Sequence, residues 1–132
     1  MSDKLDALIV KEGKPDFDLL GEILQPYVRL GQDGSILFEK NYGVLPQWGK
    51  VLVYLLARKA LISKNLTKES EGQSPKEICD KTYVPRKSIT SILVSELKGI
   101  VANKKGRYNI PNYNLYRCKD ALQKLARNSN QR

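Results

Sequence analysis

Residues 74–110 read SPKEICDKTYVPRKSITSILVSELKGIVANKKGRYNI, and their punctuation decides the fold. Ser74-Pro75-Lys76-Glu77 places a serine at a natural helix cap, a proline at the first helical position and a glutamate three residues after the serine. This is a capping box, and it starts a helix. The helix is short, with Ile78 and Cys79 facing inward and Lys81 and Thr82 near its end. Tyr83-Val84-Pro85 breaks it, because the residue before a proline is pushed out of the helical region. Pro85 in turn opens a second helix, expected over residues 84–97. There Ile89, Ile92, Leu93 and Leu97 share one face while Lys87, Ser91 and Ser95 point the other way.

Two helices of this size, separated by three or four residues, have the spacing of a helix-turn-helix. A hairpin is expected next, over residues 100–110. Ile100-Val101-Ala102 forms its first strand, Asn103 to Arg107 a basic turn containing Gly106, and Tyr108-Asn109-Ile110 the returning strand, ended by Pro111. A last amphipathic helix runs from Leu115 to about Ala126. It aligns Leu115, Cys118, Leu122 and Leu125 opposite Arg117, Lys119 and Lys124, and residues 127–132 are expected to fray.

Upstream, Pro46 opens the strongest helix of the first half, residues 47–62. Trp48, Val51, Leu52, Leu55, Leu56 and Ile62 make its apolar stripe, and Arg58 and Lys59 a solvated face. Residues 63–73 form a polar loop, long enough to be functional or mobile. Nearer the N-terminus, Leu5, Leu8 and Ile9 suggest a short amphipathic turn ending at Gly13 and Pro15. Leu19, Leu20, Ile23 and Leu24 then recur at helical spacing until Pro26. Tyr27-Val28-Arg29-Leu30 and Ser35-Ile36-Leu37-Phe38, joined by Gly31-Gln32-Asp33-Gly34, form a hairpin. The expected fold is therefore α+β and mainly α. Residues 1–45 are a helix and hairpin extension and a possible dimerisation element. Residues 46–132 are a domain built on the helix-turn-helix and its hairpin, with the C-terminal helix.

Charge divides the chain at the same place. Residues 1–73 hold ten Lys/Arg against ten Asp/Glu, and residues 74–132 hold thirteen against four. The excess of the second half is the whole formal charge of +9. A neutral half joined to a strongly basic one points to a scaffold carrying a polyanion-binding surface.

The same residues narrow the chemistry. The chain has no histidine, the commonest general base and transition-metal ligand. Cys79 and Cys118 are too few for a disulfide framework and lack partners at metal-ligand spacing, so both are expected to pack as small apolar side chains. Gly31-Gln32-Asp33-Gly34 lacks the Lys-Ser/Thr of a phosphate loop. Asp16 and Asp18 sit in a first helical turn, where carboxylates complement the helix dipole. No enzyme activity, metal, cofactor or small-molecule ligand is expected. Acidic residues stand where a signal peptide would be basic, and the longest apolar run, residues 51–57, is too short to span a bilayer. The protein is expected to be cytoplasmic, and nucleoid-associated if prokaryotic.

On residues 74–82, 84–97 and 100–110, with the Trp48 helix before them, the chain resembles the winged helix-turn-helix superfamily. That resemblance covers roughly two-thirds of the sequence and is one of architecture, carried by a common pattern of elements. It departs from the pattern at Tyr83, where a glycine is common, and at Lys98-Gly99, a tight connection to the hairpin. The resemblance implies that helix 84–97 enters the major groove while the hairpin 100–110 touches backbone or minor groove. On that basis Arg86, Lys87, Thr90 and Ser91 are expected at base edges. Lys104, Lys105 and Arg107 are expected on phosphates or a narrow minor groove, with Lys76, Lys81, Ser74 and the cations of the last helix adding phosphate contacts. Tyr83, Tyr108 and Trp48 are expected to pack. The function expected is double-stranded DNA binding by a transcriptional regulator, acting as a homodimer on a palindromic site. The alternative is a winged-helix protein–protein interaction subunit of a larger, nucleic-acid-processing assembly.

Overall fold

Helix α3 (Gln47–Ser63) is the element on which the rest of the chain is laid down. The computed structural model describes the backbone of residues 15–130 and the side chains of residues 15–126. The Leu5, Leu8 and Ile9 turn lies outside the described residues. Those described form a mainly α arrangement of six helices and two small antiparallel hairpins. In chain order they are α1 (Phe17–Leu24), β1 (Val28–Leu30), β2 (Ile36–Phe38), α2 (Lys40–Gly43), α3, α4 (Pro75–Thr82), α5 (Arg86–Val94), β3 (Ala102–Lys104), β4 (Arg107–Asn109) and α6 (Leu115–Asn130).

Every residue of α3 from Val51 to Leu61 is buried, where the sequence predicts a one-sided stripe. The reason is that α1, α2, α4, α5, β1 and β4 all pack on it. A helix enclosed on all sides must bury its polar residues too. Arg58 and Lys59, expected on a solvated face, are accordingly only 6% and 4% exposed. Burying a charge is costly unless it is paired. Arg58 Nη2 donates to the Ser70 carbonyl at 2.7 Å and its guanidinium faces Glu69 at 3.6 Å. Lys59 Nζ donates to Asn112 Oδ1 at 2.8 Å and pairs with Glu71 at 3.0 Å. The buried Tyr54 hydroxyl donates to Gln73 Oε1 at 2.7 Å, and burial pushes the phenol up to about 12. Three polar side chains of one buried helix thus fasten the polar loop before α4.

A single apolar cluster joins α1 (Leu19, Leu20, Ile23, Leu24) to α3, to Ile89 and Leu93 of α5, and to Leu115, Cys118 and Leu122 of α6. Asp16 caps α1, accepting from the Leu19 N–H at 3.0 Å, with Asp18 in the first turn. Glu22 of α1 pairs with Lys119 of α6 at 3.2 Å. Strands β1 and β2 pair in the register Val28 to Phe38, and the Phe38 ring stacks on the Tyr42 ring of α2 at 4.1 Å. Trp48 is half-buried beside Arg117, Ala121 and Leu125 of α6 rather than in the core. Helix α6 continues to Asn130, past the end expected near Ala126. No helix among the described residues is long and apolar enough to cross a membrane.

Candidate nucleic-acid interface

The basic half is organised by one carboxylate. Ser74 caps α4 by accepting from the Glu77 N–H at 3.2 Å, and Glu77 accepts in return from the Ser74 N–H at 3.0 Å, so the capping box forms. Glu77 also pairs with Arg107 at 2.9 Å. Burial works against the charged form of Glu77, but the Ser74 hydrogen bonds and the Arg107 guanidinium outweigh it and hold the carboxyl below its ordinary value. Arg107 Nε donates to the Gly72 carbonyl at 3.0 Å as well. Arg107 is therefore a strut joining the hairpin to the start of α4.

Strands β3 and β4 pair from Ala102–Asn109 to Lys104–Arg107. The turn between them is two residues, Lys105-Gly106, where a five-residue basic turn was expected. Both have positive φ, 56° and 82°, the combination that matches the twist of a tight hairpin and that glycine adopts without penalty. Gln73 pairs with Tyr108 on the outer side of β4 through two backbone bonds of 2.9 and 2.8 Å. The hairpin is thereby carried on the residue that leads into α4, and Lys104 and Lys105 are left exposed at its tip.

Helix α5 is shorter than the expected 84–97. Pro85 keeps an extended ψ of 138° as its cap, so the helix starts at Arg86. It ends at Val94, where Ser95 leaves helical geometry and Leu97 N–H reaches back to the Ile92 carbonyl at 2.9 Å. Leu97 still enters the core, from a turn. Ile89, Ile92 and Leu93 bury the inner face. Arg86, Lys87, Thr90, Ser91 and Val94 are exposed, and the last four, spaced 0, 3, 4 and 7 along a helix, share a face. No acidic residue stands in the first turn, and the cap supplies no side-chain acceptor.

Tyr83 departs most from expectation. It occupies the left-handed position that closes α4, at φ 61°, and is 88% exposed. Left-handed backbone turns its Cβ away from the motif's small core, so the ring does not pack as predicted.

Among the residues singled out from sequence, the structure groups Arg86, Lys87, Thr90 and Ser91 on α5, and Lys104 and Lys105 on the hairpin tip. Lys76 lies beside the Glu77–Arg107 pair and is exposed. Lys81 stands apart, on a cavity of about 320 Å³ whose lining includes Asp33 and Glu69. Among the described residues, Arg86, Lys87, Lys104 and Lys105 make no ion pair, whereas Arg29, Arg58, Lys59, Arg107 and Lys119 each face a carboxylate. Exposed Val94 and Tyr83 escaped sequence reasoning. Only Tyr83 left a signal, a bulky residue where a glycine is common. No group of three or more Cys, Asp or Glu among the described residues is arranged to hold a metal.

No protein-family model, curated protein or solved structure matches this chain.

Proposed function

We propose that residues 46–132 form a winged helix-turn-helix and that the protein is a non-enzymatic, double-stranded-DNA-binding regulator of transcription. The observation that carries this is the distribution of unpaired cations. The acidic side chains near the motif serve internal pairs, while Arg86, Lys87, Lys104 and Lys105 stand exposed with no carboxylate partner. Cations in the first turn of a helix oppose its dipole, and a phosphate or a guanine edge would relieve that mismatch. Lys87, Thr90, Ser91 and Val94 form an outward face suited to a major groove: two hydroxyl groups, one ammonium and one apolar contact for a thymine methyl. The hairpin tip supplies phosphate contacts, with Arg107 holding the hairpin rather than touching the ligand.

The alternative, a protein–protein module, is favoured by one feature of the same surface, the exposed apolar side chains of Val94 (63%) and Tyr83 (88%). Arg86→Ala separates the two. On a site selected from a random duplex pool it should cost about 1–3 kcal/mol, and much less on random duplex. Equal losses on both, or no enrichment of any sequence, would remove α5 from base readout.

Homodimerisation belongs to the same proposal. The neutral half exposes Leu37 (61%) and Val44 (78%), and a two-fold contact there would give the footprint that a palindromic site needs. Leu37→Glu with Val44→Glu should turn a dimer into a monomer by light scattering. A wild-type chain that is already monomeric would reject the proposal.

A further inference from the structure

We infer that Tyr83 is a nucleic-acid contact residue, held in a strained turn so that its ring and hydroxyl reach the sugar-phosphate backbone beside α5. The inference rests on the DNA-binding reading above and deepens it. Two independent features of Tyr83 point the same way. First, the residue closing α4 has φ 61° and ψ 13°, a conformation that glycine takes freely and a side chain with Cβ takes at a cost. Only the cap hydrogen bond from its N–H to the Cys79 carbonyl, 2.9 Å, uses Tyr83 in the fold, and glycine would make the same bond. Second, the ring is 88% exposed, more than any other large apolar or aromatic side chain among the described residues. An aromatic there neither packs nor relieves the backbone, so the fold alone does not account for it. Strain of this kind collects where a side chain is needed for binding.

Its neighbours define the ligand. Lys81 precedes the turn, Arg86 and Lys87 follow it, and all three are exposed. Chain connectivity keeps Tyr83 within about 11 Å of Arg86 along the backbone. A tyrosine among cations at the entry of a helix offers a flat apolar ring to a deoxyribose and an O–H donor to a phosphate oxygen. Neither contact reads a base. The contribution of Tyr83 is thus independent of sequence, and it fixes how deeply the start of α5 sits in the groove.

The test compares wild type with Tyr83→Gly, Tyr83→Ala and Tyr83→Phe for melting temperature and for affinity to a random 20-base-pair duplex. Tyr83→Gly should raise the melting temperature by about 4 °C and weaken binding about tenfold. Tyr83→Ala keeps the backbone strain and loses the ring, so binding should fall equally without the gain in stability. Tyr83→Phe should fall between the two and wild type. Wild-type affinity in Tyr83→Gly and Tyr83→Ala would overturn the contact while leaving the DNA-binding reading intact. A lower melting temperature for Tyr83→Gly would show that the residue serves the fold, and would overturn the inference from the other side. If wild type itself shows no salt-sensitive duplex binding, the DNA-binding reading falls and the role of Tyr83 falls with it.

Discussion

At the residue scale, the chain places charges where burial makes them costly and then satisfies them. Lys59 depends on Glu71, which also accepts from Asn109 Nδ2 at 3.2 Å, so a single carboxylate holds the centre of α3 to β4. Removing one partner of a buried pair leaves an uncompensated charge. Glu71→Ala should therefore lower stability in urea by about 3 kcal/mol, and Lys59→Met should cost less because it removes the stranded charge. A Glu71→Ala protein with a wild-type midpoint would show that the pair is idle. Cys118 is fully buried in the core and its thiol is pushed up to about 12, chiefly by burial. In native protein at pH 8 a thiol reagent should modify half-buried Cys79 first and leave Cys118 until the chain unfolds; two fast thiols would contradict that placement. The sequence showed neither partner of Lys59, because Lys-Ala-Leu-Ile reads the same on a helix with one solvated face as on one enclosed by others. Burial on all sides is a property of the neighbours.

At the element scale, local signals were legible wherever the chemistry is local. The Ser74–Glu77 box and the Asp16 cap are formed by side chains three residues from the amides that they cap, and both stood in the sequence. Long-range features were not. The pairing of Gln73 with Tyr108 and the Arg107 strut join segments more than thirty residues apart, and no spacing rule announces them. The hairpin register shifted because Lys105 tolerates a positive φ that sequence assigns to glycine alone. The Glu77 hub yields a pH prediction. Its carboxyl is held below its ordinary value, so the stabilisation is complete above the unfolded glutamate value and is lost as pH falls through the lowered folded one. Glu77→Gln should be less stable than wild type at pH 7 by about 1 kcal/mol. The two melting curves should converge in acid, and a gap that persists at low pH would exclude the charge as its cause.

At the scale of the whole molecule, charge asymmetry is the feature that sequence and structure share most fully. The basic half was countable from the sequence. Which of its cations are free was not, because Arg107 and Lys119 are paired by residues distant in the chain. The resulting account predicts that Lys104→Ala with Lys105→Ala weakens binding to all duplexes alike, while Arg107→Ala also lowers the melting temperature by loosening the hairpin. A double variant with undiminished affinity would take the hairpin tip out of the interface. The central claim, that unpaired cations of α5 and the hairpin bind duplex phosphates, is tested most directly by the salt dependence of affinity for a random 20-base-pair duplex. For the wild-type protein log K should fall linearly with log salt with a slope of about −3 or steeper. The slope should flatten by about two when Arg86, Lys87, Lys104 and Lys105 are replaced together by alanine. A wild-type slope near zero, or the same slope in a folded quadruple variant, would contradict the account.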